Sequence, residues 1–470
     1  MLRMQRLSGL DASFLYLETS SQPLHVCSII ELDTSTVPGG YAFDRLRDAL
    51  ALRIKAIPAF REKLANSPLN LDHPVWVDDE KFDINRHLHR IAVPAPGGRA
   101  ELSEICGHIA ETPLDRGRPL WEMWVIEGVA GTDCHRSDGV GGRLAVVTKV
   151  HHAGVDGVTG ADLMSQLCAT EADAPPPEPV EGVGGAQGWR IAAGGLVRFA
   201  TRPLHLANMV PDTVSSVLAT VRRARDGLAM ARPFAAPRTV FNAKISDRRN
   251  VAYAELDLDD VKTVKNKFDV KVNDVVMALV SGVLRQYLTD RNELPKSSLV
   301  ASVPVSVHGK SDRPGRNQVS AMFSSLHTEI ADPVQRLKAI AEANSIAKEH
   351  SSAIGASLLQ DWSQFAAPAV FGIAMRLYAR TRFTDSMPVH NLVVSNVPGP
   401  QVPLYMLGSE VKSMYPLGPI FHGSGLNITA MSLRGKLDIG LVACPDLLPD
   451  LWEMADEFAV GLEELLALAR

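Results

Sequence analysis

Residues 144–157 read LAVVTKVHHAGVDG and combine the pattern of a strand with a pair of histidines. The first seven residues are β-branched or apolar almost without interruption, which indicates a buried strand. His151 and His152 follow where this strand should end. A histidine can accept a proton near neutral pH, because its unperturbed pKa is about 6.5. A hydroxyl group held against such a base becomes a usable nucleophile, an effect typically worth about 10²–10⁴-fold in rate.

The next residues favour a tight loop. Gly154 and Gly157 permit a sharp turn and the close approach of another molecule to the backbone. Asp156, when ionised, can fix the loop or an imidazole through a hydrogen bond or a salt bridge. Two other interpretations stay open. A His-His pair after a strand is more often structural than catalytic, and two histidines can also bind a metal, although no third ligand at HExxH or CxxC spacing accompanies them.

Outward from this stretch, apolar periodicity predicts helices and strands that alternate irregularly. The predicted strands are 121–129, 144–150, 251–256, 299–307, 319–330, 391–395 and a hairpin of 426–433 with 436–443. The predicted helices are 41–64 (broken near Pro58), 99–111, most of 189–233, 261–268, 274–288 with Asn273 as its N-cap, 333–350 and 450–468. This order favours an α/β fold with mixed sheets in two comparable halves.

One break in composition divides the chain. Residues 171–188 read EADAPPPEPVEGVGGAQG and are nearly free of large apolar groups. Such a segment cannot bury enough surface to offset its ordering entropy, so we expect an exposed, flexible linker. It separates an N-terminal subdomain at 1–170, which carries the histidine pair, from a helical connection and a C-terminal subdomain at 189–470.

The composition is that of a globular protein with a large core. The chain has 470 residues, of which 46% are hydrophobic and 21% charged, and its formal net charge is -5. This balance gives no electrostatic case for nucleic acid as a partner. The five cysteines are scattered and never form CxxC, so we expect no disulfide scaffold and a reducing compartment. The apolar run 365–375 is shorter than the roughly 18 residues of a spanning helix, and the N-terminus has no signal-peptide pattern.

The whole heptad at 151–157 is more specific than the histidine pair alone. HHxxxDG is the active-site motif of the coenzyme-A-dependent acyltransferase superfamily, which includes chloramphenicol acetyltransferase and the condensation domains of peptide synthetases. Within it, the chain resembles the bacterial wax ester synthase/diacylglycerol acyltransferase family, especially the mycobacterial triacylglycerol synthases. Further matching segments are LSGLDA at 7–12, PLWE at 119–122, ND at 273–274, PVSV at 304–307, GRNQ at 315–318, SNVPGP at 395–400 and GLN at 425–427.

The resemblance implies two chloramphenicol-acetyltransferase-like subdomains with mixed sheets and a central tunnel that holds the heptad. It makes His152 the general base, which deprotonates an acceptor hydroxyl for direct attack on the thioester of acyl-CoA. His151 supports the loop, Asp156 makes a structural salt bridge, and Gly157 leaves room near the reacting centre. Acyl-CoA is then a co-substrate, and neither a permanently bound cofactor nor a metal is expected. The chain has no GxSxG elbow that would suggest an acyl-enzyme.

Other site residues follow from the same resemblance. Asn273 is expected to orient the acceptor or stabilise the tetrahedral oxyanion while capping its helix, and Asp274 to hold the loop. Relatives often carry arginine where this chain has His308, so a charge role at that position is in doubt. Arg313 and Arg316 are candidate partners of Asp156.

Two more segments are candidates for packing near the acyl or acceptor channel. One consists of Pro119, Leu120 and Trp121, for which a plain core role is an equal explanation. The other joins a strand to a Pro-Gly-Pro turn, which would by itself explain the pattern. Its candidate residues are Ser395, Asn396 and Gly399.

The expected partners are a long-chain acyl-CoA and diacylglycerol or a fatty alcohol. Segment 189–233 carries seven arginines among apolar residues, which suits an anionic membrane or lipid-droplet surface, although a helix packed on its own domain fits equally. We therefore expect a cytoplasmic protein, peripherally associated with the inner membrane or lipid inclusions. The alternatives are a condensation-type acyltransferase that uses a carrier-protein thioester, and a non-catalytic lipid-binding or droplet-coating protein. The absence of carrier domains speaks against the first, and the intact heptad speaks against the second.

Overall fold

The computed structural model describes residues 5–66, 72–130, 143–154, 166–180, 191, 230–231, 234–306, 319–354 and 388–470. Several predictions concern residues outside these ranges. They are the apolar run 365–375, nearly all of the segment 189–233, the second part of the linker at 181–188, and the residues Asp156, Gly157, His308, Arg313 and Arg316. Residues 171–180 of the linker form neither helix nor strand and are mostly exposed, whereas the flexibility of the linker stays a prediction.

The described strands are β1 Gln5–Arg6, β2 His25–Asp33, β3 Glu62–Ala65, β4 Val75–Asp78, β5 Leu88–Ala92, β6 Trp121–Val129, β7 Arg143–His151, β8 Cys168–Ala169, β9 Asn250–Asp257, β10 Val300–Ser306, β11 Val319–Ser325, β12 Leu392–Pro398, β13 Tyr405–Met406, β14 Ser409–Leu417, β15 Leu426–Leu433 and β16 Lys436–Ala443. The described helices are α1 Gly9–Leu17, α2 Phe43–Ile54, α3 Arg99–Glu111, α4 Leu258–Phe268, α5 Val272–Asp290, α6 Pro333–Ile354 and α7 Leu451–Ala469.

The first sheet has seven strands in the order β5-β6-β7-β2-β14-β13-β8. β7 lies between β6 and β2 and is antiparallel to both. Its side chains alternate between two cores: Leu144 and Val146 face one, and Ala145 and Val147 face the other. This alternation follows the pleat of a strand that is covered on both faces. The prediction of a buried strand that ends at the histidine pair is therefore confirmed.

The second sheet has six strands in the order β11-β10-β12-β15-β16-β9. β12 is parallel to β10 and β15, whereas the other neighbours are antiparallel. One face packs against α5 and α7, whose buried residues Val276, Val280 and Phe458 belong to the largest apolar core. A small third sheet joins β1, β4 and β3. The predicted α/β class with mixed sheets is confirmed.

The C-terminal part of the chain crosses into the first sheet. β14 pairs with β2, from Glu410 opposite Asp33 to Leu417 opposite Cys27. The same strand also contacts the second sheet, where the Met414 N–H donates to Asp438 at 2.6 Å. The division of the chain at the linker stays a prediction, but β13 and β14 show that the first sheet includes strands from beyond it.

Three predicted elements differ from the structure. The helix predicted over 41–64 spans only Phe43–Ile54, because Pro58 opens a 3-10 turn and Glu62–Ala65 is a strand. The strand predicted over 319–330 ends at Ser325. Asn273 is not an N-cap: α5 begins at Val272 and its N-cap is Lys271. Within the described ranges, no helix is long and apolar enough to span a membrane.

Candidate active site

The histidine pair lies at the end of β7 and is fixed through its backbone. His151 is the last residue of the strand and is fully buried, whereas His152 is half-buried. The His151 N–H donates to the Leu120 carbonyl at 3.0 Å, and the His152 N–H donates to the Leu24 carbonyl at 2.9 Å. The Gly154 N–H then donates to the His151 carbonyl at 2.9 Å, which closes a turn. The residues just before β6 and β2, the two strands beside β7 in the sheet, therefore fix the start of the loop.

Helix α1 contacts both imidazole rings. Phe14 stacks on His152, with 4.0 Å between the ring centroids and 13° between the planes. Glu18 is the C-cap of the same helix, and its Oε1 lies 3.4 Å from Nε2 of His151. Residues four apart on a helix lie on one side, so a single helix face presents an aromatic ring to one histidine and a carboxylate to the other.

The Glu18 carboxylate is held by several donors. Its Oε1 accepts the Leu24 N–H at 3.0 Å, and its Oε2 accepts from Arg116, with the nearer nitrogen at 2.5 Å. Burial alone would raise the pKa of Glu18. The contacts with His151, with the Leu24 N–H and with Arg116 outweigh that effect and lower this pKa to about 2. Glu18 is therefore an ionised carboxylate beside His151 at neutral pH.

The LSGLDA segment builds the start of this helix. The Ser8 side chain accepts the Asp11 N–H, and the Asp11 side chain accepts the Ser8 N–H, so the two form a capping box. Apolar residues around the helix then pack on the loop. Leu15, Leu120 and Ala153 lie in one small core cluster. The segment thus has a structural role that also places Phe14 and Glu18.

Two buried polar groups flank the pair. Lys149 is fully buried, lies 2.8 Å from Glu122, and also donates to the carbonyls of Ile109 and Thr112. His25 lies opposite His151 in the sheet and bonds the Ala110 carbonyl through Nε2 at 2.6 Å. Burial, and then the charge of Lys149, lowers the pKa of His25 to about 3. His25 is therefore uncharged at neutral pH.

The PLW segment divides between two cores. Pro119 and Leu120 are buried just before β6, and Leu120 packs beside Ala153. Trp121 points into the other core, where its indole N–H donates to the Phe60 carbonyl at 2.8 Å. Leu120 is therefore the member of the segment that packs on the histidine loop, and Trp121 has the contacts of a core residue.

Asn273 and Asp274 lie in the first turn of α5. Asn396 on β12 donates to Asn273 Oδ1 at 3.5 Å. Asp274 accepts the Lys271 N–H at 2.9 Å through Oδ2 and the Asn344 amide at 2.8 Å through Oδ1. These bonds connect the start of α5 to α6, so Asp274 holds this turn in place.

The SNVPGP segment forms the second half of β12 and the turn after it. Ser395 lies opposite Thr429 of β15, beside Asn396. Gly399 lies where the chain passes over β15, and a Cβ there would overlap with the carbonyl oxygen of Ser432. Gly399 thus permits a close backbone approach, and Asn396 forms a second group with Asn273 at the start of α5.

Three residues at the site were not predicted from the sequence: Phe14, Glu18 and Arg116. The first two are visible in hindsight, because Ser8 followed three residues later by Asp11 is the pattern of a helix start. A helix from residue 9 places Phe14 and Glu18 on one face. Nothing local connects Arg116 to Glu18. Asp156 and Gly157 lie outside the described residues, so their roles stay predictions. In the described part of the chain, no group of three or more His, Cys, Asp or Glu side chains could hold a metal ion.

Comparison with known proteins identifies the family. The family model described as the wax ester synthase/diacylglycerol acyltransferase catalytic domain matches residues 7–276. The chain belongs to this family. A second model, the WS/DGAT C-terminal domain, matches residues 316–466. The family and the acyltransferase class that the heptad indicated are confirmed.

Individual relatives agree over nearly the whole chain. A protein of Mycobacterium tuberculosis strain CDC 1551, named "Putative diacylglycerol O-acyltransferase", is 58% identical over 98% of this chain and 90% of its own. The solved structure of the wax ester synthase/diacylglycerol acyltransferase from Marinobacter aquaeolei VT8 matches with a TM-score of 0.68 and 28% identity, over 99% of this chain and 100% of that one. The first condensation domain of the calcium-dependent antibiotic synthetase matches in fold, with a TM-score of 0.58 and 16% identity over 99% of this chain and 97% of that one. The last match supports the two-subdomain architecture.

Proposed function

We propose that this chain transfers the acyl group of a long-chain acyl-CoA to the hydroxyl of diacylglycerol, which yields triacylglycerol and CoA. A fatty alcohol is the second acceptor and gives a wax ester. The names of the relatives support this substrate class, since one is named for diacylglycerol and the Marinobacter protein for both activities. Acyl-CoA is a co-substrate, and no permanently bound cofactor takes part.

The observation that carries the proposal is the fixed and half-buried position of His152. Its backbone is bonded to Leu24, and its ring lies flat on Phe14 at 4.0 Å. Stacking on one face of the imidazole fixes the plane of the ring, and the nitrogens of an imidazole lie in that plane. A general base needs a fixed orientation relative to the proton that it removes, and the position of His152 meets this requirement.

The reaction follows from this geometry. His152 accepts the proton of the acceptor hydroxyl while that oxygen attacks the thioester carbonyl carbon. The tetrahedral intermediate collapses, the carbon–sulfur bond breaks, and the imidazolium returns the proton to the CoA thiolate. One ester bond replaces one thioester bond, and the histidine ends in its initial state. No acyl-enzyme forms along this path.

Asn273 and Asn396 form the second group, which we assign to the thioester carbonyl that the acceptor attacks. Asn273 accepts from Asn396 through Oδ1, so the opposite side of its amide presents N–H groups. We propose that such an N–H orients the acceptor or stabilises the tetrahedral oxyanion, the charge that develops during acyl transfer. Asp156 makes a structural salt bridge, and Gly157 leaves room for the reacting groups.

We also propose that the protein acts peripherally at the cytoplasmic face of the inner membrane or at lipid inclusions. Diacylglycerol and fatty alcohols barely exist free in water, and the seven arginines of segment 189–233 supply charges that anionic lipids attract. Flotation with anionic and with neutral vesicles tests this. Binding to neither kind of vesicle, at low or at physiological salt, would contradict it.

The catalytic proposal is tested by release of CoA from palmitoyl-CoA, with diacylglycerol or hexadecanol as acceptor. Wild type should release CoA only when an acceptor is present. The acceptor-dependent rate of His152→Ala should be lower than that of wild type by at least roughly 100-fold, the lower limit for a general base. His108→Ala is the matched control, because His108 lies exposed on α3 and its ring pairs with Glu111 of the same helix.

Other results would contradict the proposal in distinct ways. Equal and negligible release from wild type and His152→Ala, together with retained lipid binding, would indicate a non-catalytic lipid-binding protein. Release that requires an acyl group on a carrier protein, with none from acyl-CoA, would indicate a condensation-type enzyme. A rate that His152→Ala leaves unchanged would remove His152 as the base.

A further inference from the structure

We propose that Glu18, held by Arg116, is a positioning residue that fixes the tautomer of His151 and the backbone from which His152 projects. This inference rests on the proposed function, because it explains how the base is held in place. It adds two residues that lie far from the heptad in sequence. Neither needs to touch a substrate.

The tautomer of His151 follows from its two ring contacts. The Ala153 N–H donates to Nδ1 of His151 at 3.0 Å. A ring nitrogen that accepts a hydrogen bond carries no proton, so the ring proton is on Nε2. That nitrogen lies 3.4 Å from Oε1 of Glu18. The carboxylate therefore faces the protonated nitrogen, and the backbone faces the other one.

Glu18 itself cannot turn away easily. Its side chain is only 7% exposed, and both oxygens have donors. Arg116 donates to Oε2 through Nε at 3.1 Å and through a terminal nitrogen at 2.5 Å. The same terminal nitrogen also donates to the Leu15 carbonyl at 2.8 Å, which joins the guanidinium to α1. The arginine thus holds one oxygen and leaves the other directed at His151.

Two routes lead from Glu18 to the base. In the first, Oε1 accepts the Leu24 N–H, and the carbonyl of Leu24 accepts the His152 N–H. In the second, the His151 ring holds the Ala153 N–H, next to His152. The first route ends at the backbone N–H of His152, and the second ends at the backbone N–H of Ala153. A carboxylate that is lost or moved would loosen both at once.

The expected consequence is a loss of rate without a loss of substrate binding. A small misplacement of a catalytic group can cost roughly 100-fold in rate. In Glu18→Gln, kcat should fall by roughly 10- to 100-fold, while KM for palmitoyl-CoA and for diacylglycerol should change by less than about twofold. Arg116→Gln should lower kcat in the same direction but less, and Arg116→Lys should restore part of the loss.

A control variant tests whether the loss of another arginine-paired glutamate lowers the rate as well. Glu127 in β6 of the same sheet also pairs with an arginine, Arg90 at 2.9 Å, but lies away from the histidine loop. Glu127→Gln should keep wild-type kcat. If it lowers kcat as much as Glu18→Gln does, the effect is general and the inference is wrong.

The second readout does not depend on activity. In protein labelled with ¹⁵N-histidine, the His151 signals, assigned with a His151→Gln variant, should show a proton on Nε2. Glu18→Gln should shift these signals, whereas Glu127→Gln should not. A proton on Nδ1 in wild type, or unchanged signals and unchanged kcat in Glu18→Gln, would overturn the inference. Absence of acyl transfer in wild type would contradict the proposed function and leave this NMR test in force.

Discussion

Replacing Glu18 by glutamine should destabilise the protein at neutral pH, and the loss should shrink as the pH falls. The contacts with His151, Leu24 and Arg116 lower the pKa of Glu18 from 4.5 to about 2 against the opposing effect of burial. The folded state therefore favours the ionised form more strongly than the unfolded chain does. The stabilisation is fully present above the unfolded pKa and is lost as the pH falls through the folded pKa.

The size of this effect follows from the two pKa values. The interval from 4.5 to about 2 corresponds to about 3 kcal/mol, at about 1.4 kcal/mol for each tenfold change in proton affinity. The carboxylate is almost entirely buried, so solvent screens it little. Glutamine keeps the shape and loses the charge. The difference between wild type and variant should therefore fall by about 2 kcal/mol between pH 7 and pH 3.

Reversible urea unfolding at a series of pH values measures this difference directly. Glu463→Gln is the control, because Glu463 lies on the exposed side of α7. Its stability should stay within about 0.5 kcal/mol of wild type at every pH. A difference for Glu18→Gln that stays constant with pH, or that grows toward acid, would refute the assignment of Glu18 as a buried, ionised partner of His151.

Three further substitutions test other contacts. Lys149→Met should cost about 3 kcal/mol in urea unfolding, because it leaves Glu122 without its buried partner; a variant as stable as wild type would contradict this. Gly399→Ala should cost about 1–3 kcal/mol, because the new Cβ overlaps with the Ser432 carbonyl and forces β12 and β15 to shift. An unchanged melting temperature would show that the turn has room. Asn344→Leu should cost about 2 kcal/mol, because the carboxylate at the start of α5 loses a buried donor, and a neutral result would argue against that bond.

Much of the fold could be predicted from local pattern. The nearly continuous apolar and β-branched run of β7 indicated a buried strand, and the structure places it between β6 and β2. The hairpin of β15 and β16 was predictable because Arg434 and Gly435 form its turn, and both have positive φ. The error in α2 has a local cause too, since Pro58 ends the helical pattern before the last predicted turns.

The crossing of the chain between sheets could not be predicted in this way. β14 pairs with β2 across almost 400 residues of sequence, and no local pattern reports such a pairing. Both strands are buried by residues of the second sheet and by helices α2 and α3. Their joint placement is a property of the tertiary fold.

The site residues also differ in whether a local pattern or only the tertiary fold reveals them. The histidine pair was visible because its motif is contiguous. Its supports were not, because Glu18 and Arg116 meet His151 only through tertiary packing. Asn273 was predicted as a cap from its residue type, but the N-cap is Lys271, two residues earlier. A motif therefore identifies the reacting groups, and the packing of α1 identifies what holds them.

The central claim is direct acyl transfer with His152 as the base. It is tested most directly by mixing a stoichiometric amount of protein with palmitoyl-CoA and following free CoA, first without an acceptor and then with diacylglycerol. Direct transfer predicts no stoichiometric CoA release before the acceptor is added, one triacylglycerol for each CoA afterwards, and neither product from His152→Ala. A stoichiometric burst of CoA without an acceptor, with a matching gain of one acyl mass on the protein, or full turnover by His152→Ala, would contradict it.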